Sequence, residues 1–236
     1  MIKKMMSMMV ALTLLAGSMA LPAFADTTTP NANPHVIAVT GSGTVVAKPD
    51  IAYIQVGYQA QNKVALTAQN EVKTKMSAII KQLKAAGVKD ADIKTTNISL
   101  YKTADYVKEV KNEYYVAVNT VEVTTRDLDS IGNLIDTAVN AGANDLGSVR
   151  FTVEDQEKYQ IQAITLALKN AGNKAKAIAN FSGITINKPS KITENNYGGG
   201  MIYREAANMA KAADVATPVE IGTITIEANV NVEYEY

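Results

Sequence analysis

The sequence predicts an α+β fold: a mostly antiparallel sheet covered on one face by about three helices. Three observations predict it. The C-terminal stretch TITIEANVNVEYEY places apolar residues at every second position from Ile224 to Tyr236, the period of a strand with one wet face. Three other stretches step by three and four, as amphipathic helices do. Most of the remaining β-rich runs alternate rather than running wholly apolar, which suits an antiparallel sheet with helices on its dry side.

The elements follow in chain order. Residues 1–25 have a basic start at Lys3 and Lys4, an apolar stretch and a small-x-small exit at Ala23-Phe24-Ala25. That is the layout of a signal peptide cleaved before Asp26. Residues 26–35, DTTTPNANPH, lack periodicity and read as a flexible leader. VIAVTGSGTVVAKPDIAYIQVGYQAQ holds two β-runs around Lys48-Pro49-Asp50, a turn signal that predicts a hairpin. Ala65, Ala68, Val72, Met76, Ile79 and Leu83 form a helical stripe that Gly87 closes.

DIKTTNISLYKT and EYYVAVNTVEVTT are strands, and the polar ADYVKEVKN between them reads as a surface connection. A second helix presents Leu128, Ile131, Leu134, Ile135 and Ala138, with Asp127 as N-cap and Gly142 as stop. After the strand SVRFTVED, a third helix presents Ile161, Ile164, Leu168, Ala171, Ala175 and Ile178, with Gly172 as a bending point. LKAAGVKDADI and VNAGANDLGSV leave a helix for a strand in similar fashion, a hint of a duplicated strand-helix-strand unit. Residues 195–220 form a long glycine- and methionine-containing loop or arm, which could dock on a neighbouring subunit or hang as a loose tip.

Composition removes several function classes. Without residues 1–25 the chain keeps 21 basic and 23 acidic residues, a net charge of −2. That is no footprint for nucleic acid. No later stretch is long and apolar enough to predict an integral span. With no cysteine and His35 as the single histidine, disulfides, thiol nucleophiles and ordinary zinc or copper sites are not expected. TGSGT at 40–44 leads into another β-run instead of a helix. Gly41 and Gly43 therefore predict a bulge or a close neighbouring backbone, not a phosphate loop.

Glu227, Glu233 and Glu235, with Asn229 and Asn231 between them, share one strand face, but a flat ribbon cannot wrap an ion. Glu154, Asp155 and Glu157 complement a helix N-terminus. Six of the nine methionines precede the cleavage point, and Met76 belongs to a helix stripe, so a methionine-based oxidant trap is not expected. No catalytic, cofactor or metal residues are assigned. An outer-membrane barrel, suggested by the aromatic C-terminus, conflicts with three amphipathic helices.

VTGSGTVVAKPDIAYIQVG, LKAAGVKDADIKTTNISLY, YYVAVNTVEVT, VRFTVED and KAKAIANFSGITINKPSKITE, in this order, resemble the SIMPL-domain family of exported bacterial proteins. The matching positions are Gly41, Gly43, Pro49, Asp50, Ala86, Gly87, Thr95, Ala117, Asn119, Phe151, Lys176, Ala177, Ala179, Gly183 and Glu194, and the resemblance spans residues 36–236. It implies an α+β fold, a periplasmic or secreted location, self-association into ring-like assemblies, and a part in oxidative or other stress tolerance. Members elsewhere act as adaptors for signalling kinases, so it also implies binding, with envelope proteins unidentified here as partners. The expectation is a non-enzymatic homo-oligomer without cofactor. The alternatives are a carboxylate enzyme, with tyrosines such as Tyr114 and Tyr115 in its cleft, and an oligomeric outer-membrane-associated pore.

Overall fold

The structure is a computed structural model and describes residues 35–107, 110–195, 202–204 and 217–236. The expected signal peptide, most of the leader and most of the 195–220 arm, with Met201 and Met209, lie outside these residues. The elements are β1 (Val36–Ala47), β2 (Ile51–Asn62), α1 (Ala65–Ala85), β3 (Ile93–Val107), β4 (Val110–Thr125), α2 (Ile131–Asn140), β5 (Asp145–Thr152), α3 (Gln156–Ser182), β6 (Lys191–Glu194), β7 (Ile202–Arg204) and β8 (Thr223–Glu235). Short 3-10 turns, Asp90–Asp92 and Leu128–Ser130, precede β3 and α2.

The class is α+β, as expected, but the strands divide between two antiparallel sheets. One has the order β3-β4-β2-β5 and the other β1-β8-β6, with β7 also pairing β8. β2-α1-β3 and β4-α2-β5 are two successive strand-helix-strand units with interleaved strands, a split β-α-β topology.

The expected hairpin between β1 and β2 does not form. β1 pairs along its whole length with the C-terminal strand, from Val36 opposite Glu235 to Ala47 opposite Ile224. β2 joins β4 and β5 in the other sheet. Lys48-Pro49-Asp50 is the crossing between sheets, and Asp50 ties it down. Its backbone N–H donates to the Thr152 carbonyl (3.1 Å), and its Oδ1 accepts from the Glu154 N–H (2.7 Å).

Each sheet has its own core. Ala68, Val72, Met76, Ile79 and Leu83 of α1 and Ile131, Leu134 and Ala138 of α2 bury against Ile54, Val56, Val121 and Val123 of the four-strand order. These are the faces that the spacing predicted. Asp127 is not the cap of α2: it opens the 3-10 turn, its carbonyl accepts from Ser130, and its side chain makes no capping bond. α1, α2 and α3 end in the same motif, in which a glycine at positive φ (Gly87, Gly142 or Gly183) turns the chain. The residue after it donates back to the last helical turn, as Val88 does to Leu83 and Ala143 to Ala138.

α3 covers the other sheet with a face shifted from the one expected: Ala171 and Ala175 are at its centre and Ile164 and Leu168 pack at its margin, as expected, but alanines make up the middle of the contact. Ala163, Ala167, Ala171, Ala175 and Ala179 are buried, whereas Ile161 and Ile178 are exposed. The reason is the close approach of β1. A Cβ on Gly43 would lie 2.0 Å from the Ala163 carbonyl oxygen, and one on Gly41 2.1 Å from that of Ala167. Helix backbone sits directly on strand backbone, and the buried side chains of α3 along the contact are alanines. α3 runs unbroken through Gly172, which faces the Tyr234 hydroxyl.

The ribbon that ends the chain lies beneath this helix. Ile224, Ile226, Ala228, Val230, Val232 and Tyr234 are buried in the core of β1, β8 and α3. Their face packs on protein. Tyr236 lies half exposed at the end, 5.7 Å from the His35 ring, and its N–H donates to the His35 carbonyl at 3.0 Å.

Candidate functional site

The carboxylates do not converge. Asn231 accepts from the Thr40 hydroxyl at 2.9 Å, and Glu233 pairs with Lys191 at 3.2 Å, so the outer face of β8 is a solvated polar ladder. Asp155 caps α3 by accepting from the Lys158 N–H at 3.0 Å. Glu154 is bound by the guanidinium of Arg126, which also reaches Asp92 at 3.3 Å. The Arg126 hydrogen bond holds the Glu154 carboxyl below its ordinary range. Among the described residues, no group of three His, Cys, Asp or Glu could hold a metal ion. Tyr114 and Tyr115 are adjacent on β4, so they point to opposite faces.

What does collect in one place is apolar surface. Most of the stretch ADYVKEVKN is not a polar connection but paired strand, at the outer end of a long hairpin. β3 and β4 pair out to Val107 opposite Val110, while β2 reaches β4 only as far as Tyr115. The hairpin therefore extends past the end of its neighbour. Charged residues in and beside this stretch pair with one another, Lys102 with Glu113 across the two strands and Lys111 with Glu113 along β4. Lys102 and Lys111 both grip Glu113, at 2.6 and 2.7 Å. Their hydrogen bonds, that of Lys102 first, hold the Glu113 carboxyl down to about 2.

At its inner end the hairpin forms one side of a groove. α1 packs on β2 and β4, leaving the helix side of the outermost strand, β3, open. The resulting groove of about 480 Å³ has Val72, Met76 and Ile80 of α1 on one wall and Ile98, Leu100 and Ala117 on its floor. Ile98 is 72% exposed and Leu100 43% exposed, although both point to the side that is buried elsewhere in the sheet. Asn119, also on the floor, has a buried Oδ1 without a hydrogen-bond partner in the structure. Beside it, the Tyr58 hydroxyl donates to Glu71 at 2.8 Å, and that bond, more than burial, raises the Tyr58 pKa. Tyr106, on the same side as Ile98 and Leu100, and Val110, on the opposite side, are also exposed near the hairpin end.

A second cavity, about 500 Å³, lies along β5 between Ser148–Thr152, Gln156 and Ile224. Neither Tyr114 nor Tyr115 lines it or the groove. Sequence reasoning missed Ile98 and Leu100. Their alternation marks a strand, but nothing local says that the strand is an edge with its apolar side left bare.

Comparison with known proteins places this arrangement. The family model described as "SIMPL: Protein of unknown function (DUF541)" matches residues 37–234. The 26 kDa periplasmic immunogenic protein of Brucella melitensis is 29% identical over 235 residues, covering 94% of this chain and 93% of that protein. The uncharacterized protein YggE of Escherichia coli K12 is 33% identical over 149 residues, covering 62% and 60%. The human interleukin-1 receptor-associated kinase 1-binding protein 1 is 23% identical over 209 residues, covering 84% and 76%. Among the described residues, no helix is long and apolar enough to cross a membrane.

Proposed function

The chain belongs to the SIMPL family, and we propose on that premise that it is a non-catalytic protein of the cell envelope that self-associates and acts by binding. Its first 25 residues serve as a cleaved signal peptide, and the mature chain works in the periplasm or is released. The naming of the Brucella relative as periplasmic supports this location. Tolerance of oxidative stress is an indirect result of what the protein binds.

The observation that carries the binding reading is the bare apolar groove and hairpin. Soluble chains seldom leave large apolar side chains such as Ile98, Leu100 and Tyr106 uncovered along one side of a strand without a partner for them. The human relative's name, a kinase-binding protein, supports binding over turnover. A chain without cysteine and with one histidine has no thiol with which to reduce peroxide. Purified protein mixed with hydrogen peroxide is therefore expected to leave its concentration unchanged apart from slow methionine oxidation. Catalytic loss of peroxide, at many equivalents per chain, would refute the proposal.

A further inference from the structure

The free edges of the two sheets are not alike. The outer face of β1 exposes Thr40, Ser42 and Thr44 as well as Val36, Ala38 and Val46, but its dry face is sealed by α3, and Asn170 and Lys174 of that helix bond the backbone of Ser42 and Thr40. The edge of β5 faces Ile224 and Gln156 across a cavity. β3 is different. Among the described residues its outer edge pairs with no strand, it contains no proline, and Ile98 and Leu100 stand exposed on it. Its protective devices are the bulge between Thr95 and Asn97 and the charged residues Lys94, Lys102 and Asp105, and they leave the stretch from Asn97 to Tyr101 unguarded.

An edge of this kind accepts another strand, and the sequence of β3 is complementary to itself. A two-fold axis perpendicular to the sheet pairs two identical strands antiparallel with their helix layers on the same side. Centred on Ser99, it sets Ile98 against the partner's Leu100 in both halves, and Asn97 against the partner's Tyr101. The two Ile98 and two Leu100 side chains then close into one strip, flanked on each side by Val72, Met76 and Ile80 of α1. No like charges stand opposite one another. Centring on Ile98 instead would set Lys94 against the partner's Lys102, and centring on Lys102 would set that lysine against itself, arrangements that destabilise a strand pair.

We propose that two copies of this chain join along the free edge of β3, in the antiparallel register centred on Ser99, making one continuous sheet. This gives a surface to the self-association proposed above and rests on that reading. Main-chain hydrogen bonds supply the pairing, and the covered groove supplies its specificity.

The absence of cysteine from the chain makes the register directly testable. Ser99→Cys places a single thiol opposite its own copy, where paired Cβ atoms lie about 4.5–5.5 Å apart, close enough for a disulfide after a small adjustment. Mild oxidation is expected to convert most of the protein to a covalent dimer, while Thr44→Cys on β1 stays largely uncrosslinked. Leu100→Lys is expected to lower the solution mass by at least half relative to the unaltered chain, with an unchanged circular dichroism spectrum. If the unaltered chain associates but Ser99→Cys does not crosslink and Leu100→Lys keeps its mass, the β3 edge is not the contact and self-association stands. If the unaltered chain is monomeric at all concentrations, both fall.

Discussion

Gly43→Val is expected to lower the stability of the protein by about 3 kcal/mol or more, at the upper end for overpacking, and to lower Tm by roughly 6–12 °C. The first added carbon would sit 2.0 Å from the Ala163 carbonyl oxygen and 2.5 Å from the Ala167 nitrogen. These are helix backbone atoms, so no side chain can rotate aside. α3 would have to lift from β1, uncovering Val39, Val230 and Val232 beneath it. Ser42→Ala, one residue away on the outer face, should change stability by less than about 0.5 kcal/mol. Thermal unfolding of the two variants checks this, and equal melting temperatures would disprove the backbone contact.

Ile79→Ala should cost a similar amount, about 2–5 kcal/mol, in the other sheet. Ile79 is fully buried at the centre of the core between α1 and β2 and β4. Its neighbours are strand residues fixed by pairing on both sides, so the space it leaves can collapse only in part. Phe181→Ala, a larger truncation on α3, should be nearly silent because Phe181 is 96% exposed. Denaturant titration separates the two, and a cost for Phe181→Ala equal to that for Ile79→Ala would contradict the assignment of these cores.

The residues that could be read correctly from the sequence are those whose environment is local. The stripe on α1 needed only its spacing, because its large side chains meet a sheet surface with room for them. The face of α3 was read only in part, with Ile161 and Ile178 placed inward in error, because isoleucine and leucine outweigh alanine in any apolar pattern. The informative signal was the recurrence of alanine at every fourth position from Ala163 to Ala179, matched to the G-x-G of β1. That match spans over a hundred residues, and no local window contains both halves. The same distance hid the pairing of β1 with β8 and made Lys48-Pro49-Asp50 resemble a hairpin turn.

The groove was illegible for a related reason. Ile98 and Leu100 alternate like core residues, and only the order β3-β4-β2-β5, with α1 over the inner strands, leaves them bare. The charges of the hairpin misled in the opposite direction. Asp105 and Lys111 resemble loop residues, yet both stand on paired strands, Asp105 opposite Asn112 and Lys111 opposite Tyr106.

The most direct test of a chain that works by binding, with its own copies among its partners, is the solution mass of the purified protein by light scattering across a concentration series. A stable multiple of the chain mass is expected, persisting on dilution into the micromolar range. A mass equal to one chain at every concentration would contradict it.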